Sequence, residues 1–238
     1  MKCIINQIRL SRQSLKHDFE GSFIALENNI RNARELNIFL EKLRADKNLK
    51  YEARKHLIIT GVSSADAFLK ILAVDLIESF TDSNEDIKKE LKKYTFNLGD
   101  VLELEAENVT IGEIVYATKS FYDLNEIERF FSSLAGINER KLREQIENWG
   151  VIISNREVRI CKDYPHYRQI IGELISMRHK LIHHGQLKRM PSLKNINTSI
   201  ENLIAYLSSI NHLMEYYWEI KIDRMANLSP YEGERDKG

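Results

Sequence analysis

The sequence predicts an all-α chain framed by a four-helix bundle. Three observations predict it. Only 3 proline and 10 glycine residues interrupt a chain of 238 residues, so long helices meet few breakers. Apolar residues recur at three- and four-residue spacing almost throughout, which is the period of a buried helix face. No internal repeat or low-complexity tract disturbs that pattern. With 43% hydrophobic residues, a chain of this length can bury a sizeable core. One domain over residues 1–228 is expected, followed by a polar, disordered tail at 229–238.

Each element has its own signal. The first long helix is expected over about residues 12–46, where Phe19, Phe23, Leu26, Ile30, Ala33, Leu40 and Leu43 keep a three-four rhythm. The second is expected over about 51–80. Residues of roughly 82–166 read as an irregular insertion, with short helices at about 87–93, 111–122, 125–134 and 140–149. Within it, 151–160 reads as a small hairpin, because two β-branched runs flank Asn155-Arg156. The third long helix is expected over about 167–184. The fourth, over about 195–225, presents Ile200, Leu203, Ile204, Leu207, Ile210 and Leu213 on one side.

Composition excludes several classes. Lys plus Arg and Asp plus Glu are both 35, so the formal charge is +0 and no global field draws the chain to nucleic acid or a membrane. Any anion site must therefore be local. The cysteines, Cys3 and Cys161, form neither a metal-type pair nor a disulfide framework, which suits a reducing, cytoplasmic setting. No membrane partner is expected, because no apolar run approaches the roughly 20 residues of a span and the N-terminus lacks a signal-peptide core.

Two charges stand on apolar faces. In the third long helix, Ile171, Leu174, Ile175, Leu181 and Ile182 share one arc with Arg178 at its centre, counting about 100° per residue. In the second, Asp66 is central on an arc with Ile59, Val62, Leu69, Ala73, Leu76, Ile77 and Phe80. A lone buried charge costs several kcal/mol, so the two are expected to lie near each other or to share a polar network. A plain ion pair fixing helix register would explain them equally well. Between Glu173 and Glu201, however, no acidic residue occurs, whereas Arg178, Lys180, Lys188, Arg189, Lys194 and three histidines do. That stretch is the local anion site, with Lys180, Lys188 and Arg189 as candidate RNA contacts.

Arginine and histidine suffice for one reaction without a cofactor. A base takes the proton of a ribose 2′-OH, a cation stabilises charge on phosphorus, and an acid protonates the leaving 5′-oxygen. Arg178, His183 and His184 are the candidate catalytic residues, placed just before a helix stop at Gly185. On an ideal helix Arg178 and His183 differ by about 140°, and Arg178 and His184 by about 120° the other way. Neither pair shares a face. A two-fold homodimer would bring the arginine of one chain beside a histidine of the other.

At these residues the chain resembles the HEPN superfamily, whose ribonuclease members carry Arg, a polar residue, three more positions and then His near the end of the third bundle helix. Arg178-His-Lys-Leu-Ile-His183 fits, with His179 at the polar position. Ser63-Ser-Ala-Asp-Ala-Phe-Leu69 resembles the family's second helix, with Asp66 where glutamate is commoner. The resemblance implies a HEPN-like bundle and a metal-independent, usually dimeric endoribonuclease. It also implies a toxin or antiviral-defence role, with an antitoxin protein as a possible partner. Asp66 and His179 would support the site. Arg followed by His after four to six positions also occurs at Arg12 to His17 and at Arg159 to His166, but both lack this context. Two other readings stand beside this one. A non-catalytic module of the same fold would bind RNA or nucleotides, or regulate a partner. A metal site on His179 and His183 would lack a third ligand.

Overall fold

The computed structural model describes residues 19–80, 105–106, 108–153 and 156–228, and the side chains of 21–78, 105–106, 108–150 and 157–217. The expected start of the first helix at residue 12, the short helix at 87–93, Cys3, and the tail at 229–238 lie outside the described residues. Among the described residues eight helices and one hairpin occur, in the order α1 (Phe19–Lys42), α2 (Lys47–Phe80), α3 (Ile111–Thr118), α4 (Leu124–Ala135), α5 (Glu139–Asn148), β1 (Gly150–Ile153), β2 (Arg156–Arg159), α6 (Ile160–Asp163), α7 (Tyr167–His184) and α8 (Leu193–Leu228). The chain is all-α in class.

The four long helices are α1, α2, α7 and α8. Helix α2 is central, packing on α1, α3, α7 and α8, so it is apolar around most of its circumference. Over 47–78 it is long and apolar enough to pass as a candidate membrane span by length and composition only, a test that a core helix also passes. More than half of its apolar window is buried inside the protein. Leu26 and Ile30 of α1, Leu57, Leu69 and Leu72 of α2, Ile171 and Leu174 of α7, and Ile200 and Leu207 of α8 belong to one core cluster. Each contributes about 1.5–3 kcal/mol through burial. Asn37 adds a polar tie, its amide donating at 2.9 Å to the carbonyls of Ala33 and Ala53. Gly61 lets α8 approach α2 closely, since a Cβ there would stand 2.4 Å from Ile200 Cδ1. Leu43, counted on the first helix's apolar stripe from sequence, lies beyond the end of α1 and is exposed.

Capping residues set the helix ends. Helix α2 begins four residues before the expected 51, because the Asp46 carboxylate accepts from the backbone of Asn48 at 2.8 Å and Leu49 at 3.0 Å. Helix α8 begins at Leu193, with Ser192 Oγ accepting from Asn195 N at 3.2 Å. Helix α3 opens on a capping box of Thr110 and Glu113. It stops at Thr118, four residues short of the expected 122. Residues 119–123 leave the helix because the Phe121 N–H is held by Asp66 at 2.7 Å and Asp123 caps α4 at 2.7 and 3.1 Å.

The segment between α2 and α7 shares the core of the long helices. Val115, Phe121, Ile127, Phe131, Leu142, Ile146 and Ile160 join the same cluster, with the rings of Phe121, Phe130 and Phe131 in mutual contact. The hairpin is antiparallel, pairing Gly150 with Arg159 and Val151 with Val158.

Candidate functional site

Helix α7 positions the central residue. Ile171, Leu174 and Leu181 bury its inner face, Ile175 and Arg178 are half-buried, and Ile182, expected on the same arc, is 45% exposed. Arg178 therefore lies at the edge of the apolar stripe, where its guanidinium can face a cleft.

Tyr122, in the extended segment between α3 and α4, is the group that Arg178 meets. The guanidinium carbon sits 4.3 Å from the Tyr122 ring centroid, and Nη2 donates to the hydroxyl at 2.9 Å. That hydroxyl in turn donates to Asp66 Oδ2 at 3.3 Å. Asp66 also accepts from Phe121 N at 2.7 Å and pairs with Lys70 at 3.0 Å. Asp66 and Arg178 thus share a polar network, but through tyrosine and without a direct ion pair among the described residues. Burial raises the Tyr122 pKa, the negative charge of Asp66 adds to this, and Arg178 opposes it. The phenol keeps its proton and can relay between the two charges.

This arrangement leaves the charge of Arg178 uncompensated. Asp66 is already matched by Lys70, no carboxylate lies within ion-pair distance of Arg178 among the described residues, and its buried Nε has no hydrogen-bond partner. Arg178 lines a cleft of about 590 Å³ together with Tyr122, Asn125, Arg168, Gly172 and His179. Across the cleft, Arg168 donates to Asn125 Oδ1 at 2.8 Å and pairs with Glu128. Glu128 is fully buried and also takes Arg143 through bonds of 2.9 and 2.8 Å. Two guanidiniums share that carboxylate.

The remaining sequence candidates lie outside the cleft. His183 is exposed on the last turn of α7, with its ring 4.3 Å from that of His179. His184 is exposed as well, before Gly185, which ends the helix with φ of 74°. Lys180, Lys188 and Arg189 are exposed around this end. The following loop is tethered where Leu187 N donates to the Tyr51 hydroxyl at 2.8 Å. Within one chain, then, Arg178 and His179 meet at the cleft, while His183 touches it only through the ring of His179. Among the described residues no group of three His, Cys, Asp or Glu is placed to hold a metal.

Tyr122, Arg168, Asn125 and Glu128 were not identified from sequence. Tyr122 carried one usable signal: it directly precedes Asp123, whose capping role breaks the α3 pattern before it. Arg168 carried none, because its position beside Asn125 depends on how α4 packs. No protein-family model matches the chain, and neither does any curated protein or any solved structure.

Proposed function

We propose that this chain is a HEPN-type, metal-independent endoribonuclease, acting in the cytoplasm as a toxin or antiviral-defence effector. The observation that carries the reading is Arg178: a guanidinium fixed by Tyr122, unmatched by any carboxylate among the described residues, and open to a cleft within two turns of the exposed His183 and His184. An uncompensated, preorganised cation is what a developing phosphorane dianion requires. The four long helices and the acid-free stretch from Leu174 to Ile200 support the same reading.

In the proposed reaction a base removes the 2′-OH proton, O2′ bonds to phosphorus, and the P–O5′ bond breaks as an acid protonates O5′. The products are a 2′,3′-cyclic phosphate and a 5′-OH. Arg178 carries the phosphoryl charge. His183 or His184 exchanges the protons, and His179 supports His183 through ring contact. Because His183 lies outside the cleft of its own chain, a two-fold dimer supplies it from the partner protomer. Lys180, Lys188 and Arg189 hold the RNA backbone, and an antitoxin protein restrains the enzyme.

The test is cleavage of single-stranded RNA in EDTA by the purified chain and by Arg178→Ala, His183→Ala and His184→Ala. Loss of at least about a hundredfold in rate is expected for Arg178→Ala and for the histidine that moves the proton. Equal cleavage by all four proteins would sink the assignment. One observation favours the alternative, a non-catalytic RNA- or nucleotide-binding or regulatory module: within one chain the cleft holds Arg178 without His183. On that reading the wild type binds RNA but leaves it intact.

A further inference from the structure

We propose that the cleft between α7 and the Tyr122–Asn125 segment is a subsite for an unpaired nucleotide flanking the scissile phosphate, gripped by one chain alone. The ligand follows from the ribonuclease reading of Arg178, on which this assignment rests. Arg168 and Arg178 stand at its two ends, ten positions apart on α7, or about 15 Å of helix rise. That separation exceeds what one phosphate contact needs, so the two guanidiniums would meet different phosphates of a strand.

Charge in the cleft is positive in excess. Among the described residues Arg178 has no carboxylate partner, and Arg168 shares Glu128 with Arg143. Asp123 also lines the cleft, but its carboxylate is occupied in capping the Asn125 and Glu126 N–H groups of α4.

Gly172 is the independent observation. A glycine inside a helix is costly compared with alanine, yet a Cβ built there would meet nothing within 4 Å. Packing among the described residues gives no reason for it. It lines the cleft floor between the two arginines, with Ser176 one turn further along. Small residues between two fixed guanidiniums leave room for a ligand lying along the helix. Asn125 and Gln169 add amide groups at the walls that can read a base edge. At about 590 Å³ the cleft has the size of a small-ligand site. It admits an unstacked nucleotide and excludes a paired helix.

The experiment measures binding of a fluorescent single-stranded RNA, fully 2′-O-methylated so that it cannot be cleaved. The proteins are the full chain and its Gly172→Leu and Ser176→Leu variants. Both substitutions put bulk among the cleft-lining residues and leave Arg178, Tyr122, Asp66 and Glu128 themselves unchanged. At least a tenfold loss of affinity is expected in both, with thermal unfolding midpoints no lower than that of the wild type. A duplex of the same sequence should bind at least tenfold more weakly than the single strand. Unchanged affinity in either variant that remains folded, or equal binding of duplex and single strand, overturns the subsite. Cleavage of unmodified RNA by the wild type is scored separately. Its absence removes the ribonuclease reading, whereas a variant that cleaves and binds normally removes only the subsite.

Discussion

At the scale of single residues, the chemistry turns on how a cation is held without being neutralised. Tyr122 gives Arg178 a ring face and a hydroxyl acceptor but no negative charge. Tyr122→Phe keeps the face and loses the hydrogen bond, whereas Tyr122→Leu loses both. RNA cleavage is expected to fall about tenfold for Phe and further for Leu, consistent with about 1.5 kcal/mol for a hydrogen bond to a charged group. Kinetics in which both variants match the wild type would separate Tyr122 from the function of Arg178. Glu128 shows the opposite design, a fully buried carboxylate between two guanidiniums. Removing it leaves two cations facing each other, so Glu128→Ala should cost about 3 kcal/mol in chemical denaturation. Tyr167 gives a pH test. Burial raises its pKa from 10.0 to about 12, so the folded state favours the protonated phenol. The stability that this supplies is complete below pH 10 and is lost as pH rises toward 12. The fully buried Tyr206 shifts in the same direction, again chiefly through burial. Unfolding midpoints should drop across that window and drop less in Tyr167→Phe; an identical decline in both proteins would contradict the linkage.

At the scale of the element, α7 carries two glycines with opposite physical meanings. Gly172 has ordinary helical surroundings and empty space beyond it, whereas Gly185 adopts φ of 74° at the helix end, where L side chains are strained. Gly172→Ala should therefore stabilise the fold by about 1 kcal/mol, and Gly185→Ala should destabilise it by about 1 kcal/mol. Thermal denaturation of the pair checks both signs. The break between α3 and α4 matters more for the site. Had α3 continued to residue 122 as its apolar spacing suggested, Tyr122 would sit on a helix face. The extended linker, pinned by Asp66 and by the Asp123 cap, is what lays its ring against Arg178.

At the scale of the whole molecule, one core joins the long helices to the segment between them, and the cleft forms where α7 meets that segment. A composite site across a two-fold axis predicts a concentration-dependent activity. Mixing Arg178→Ala with His183→Ala chains should restore about a quarter of the wild-type rate if random pairing produces one intact site in half of the dimers. No recovery on mixing would exclude a shared site.

Helix identity was legible in the sequence because periodicity reports burial directly. The span 167–184 and the buried stripes of α2 and α8 follow from spacing alone, and capping residues such as Asp46 and Ser192 marked starts that the periodicity placed a few residues late. Arg178 and Asp66 were likewise visible as charges out of place on apolar arcs. Their relationship was not, because a local pattern gives the direction of a side chain but not the group that it meets. Tyr122 comes from a segment 56 residues away from both Asp66 and Arg178, and Arg168 reaches Glu128 and Asn125 across 40 and 43 residues. Local periodicity and capping determine which residues form helices and which faces they bury. Long-range packing alone places Tyr122 between the two charges, so that Arg178 meets a phenol in place of the Asp66 carboxylate.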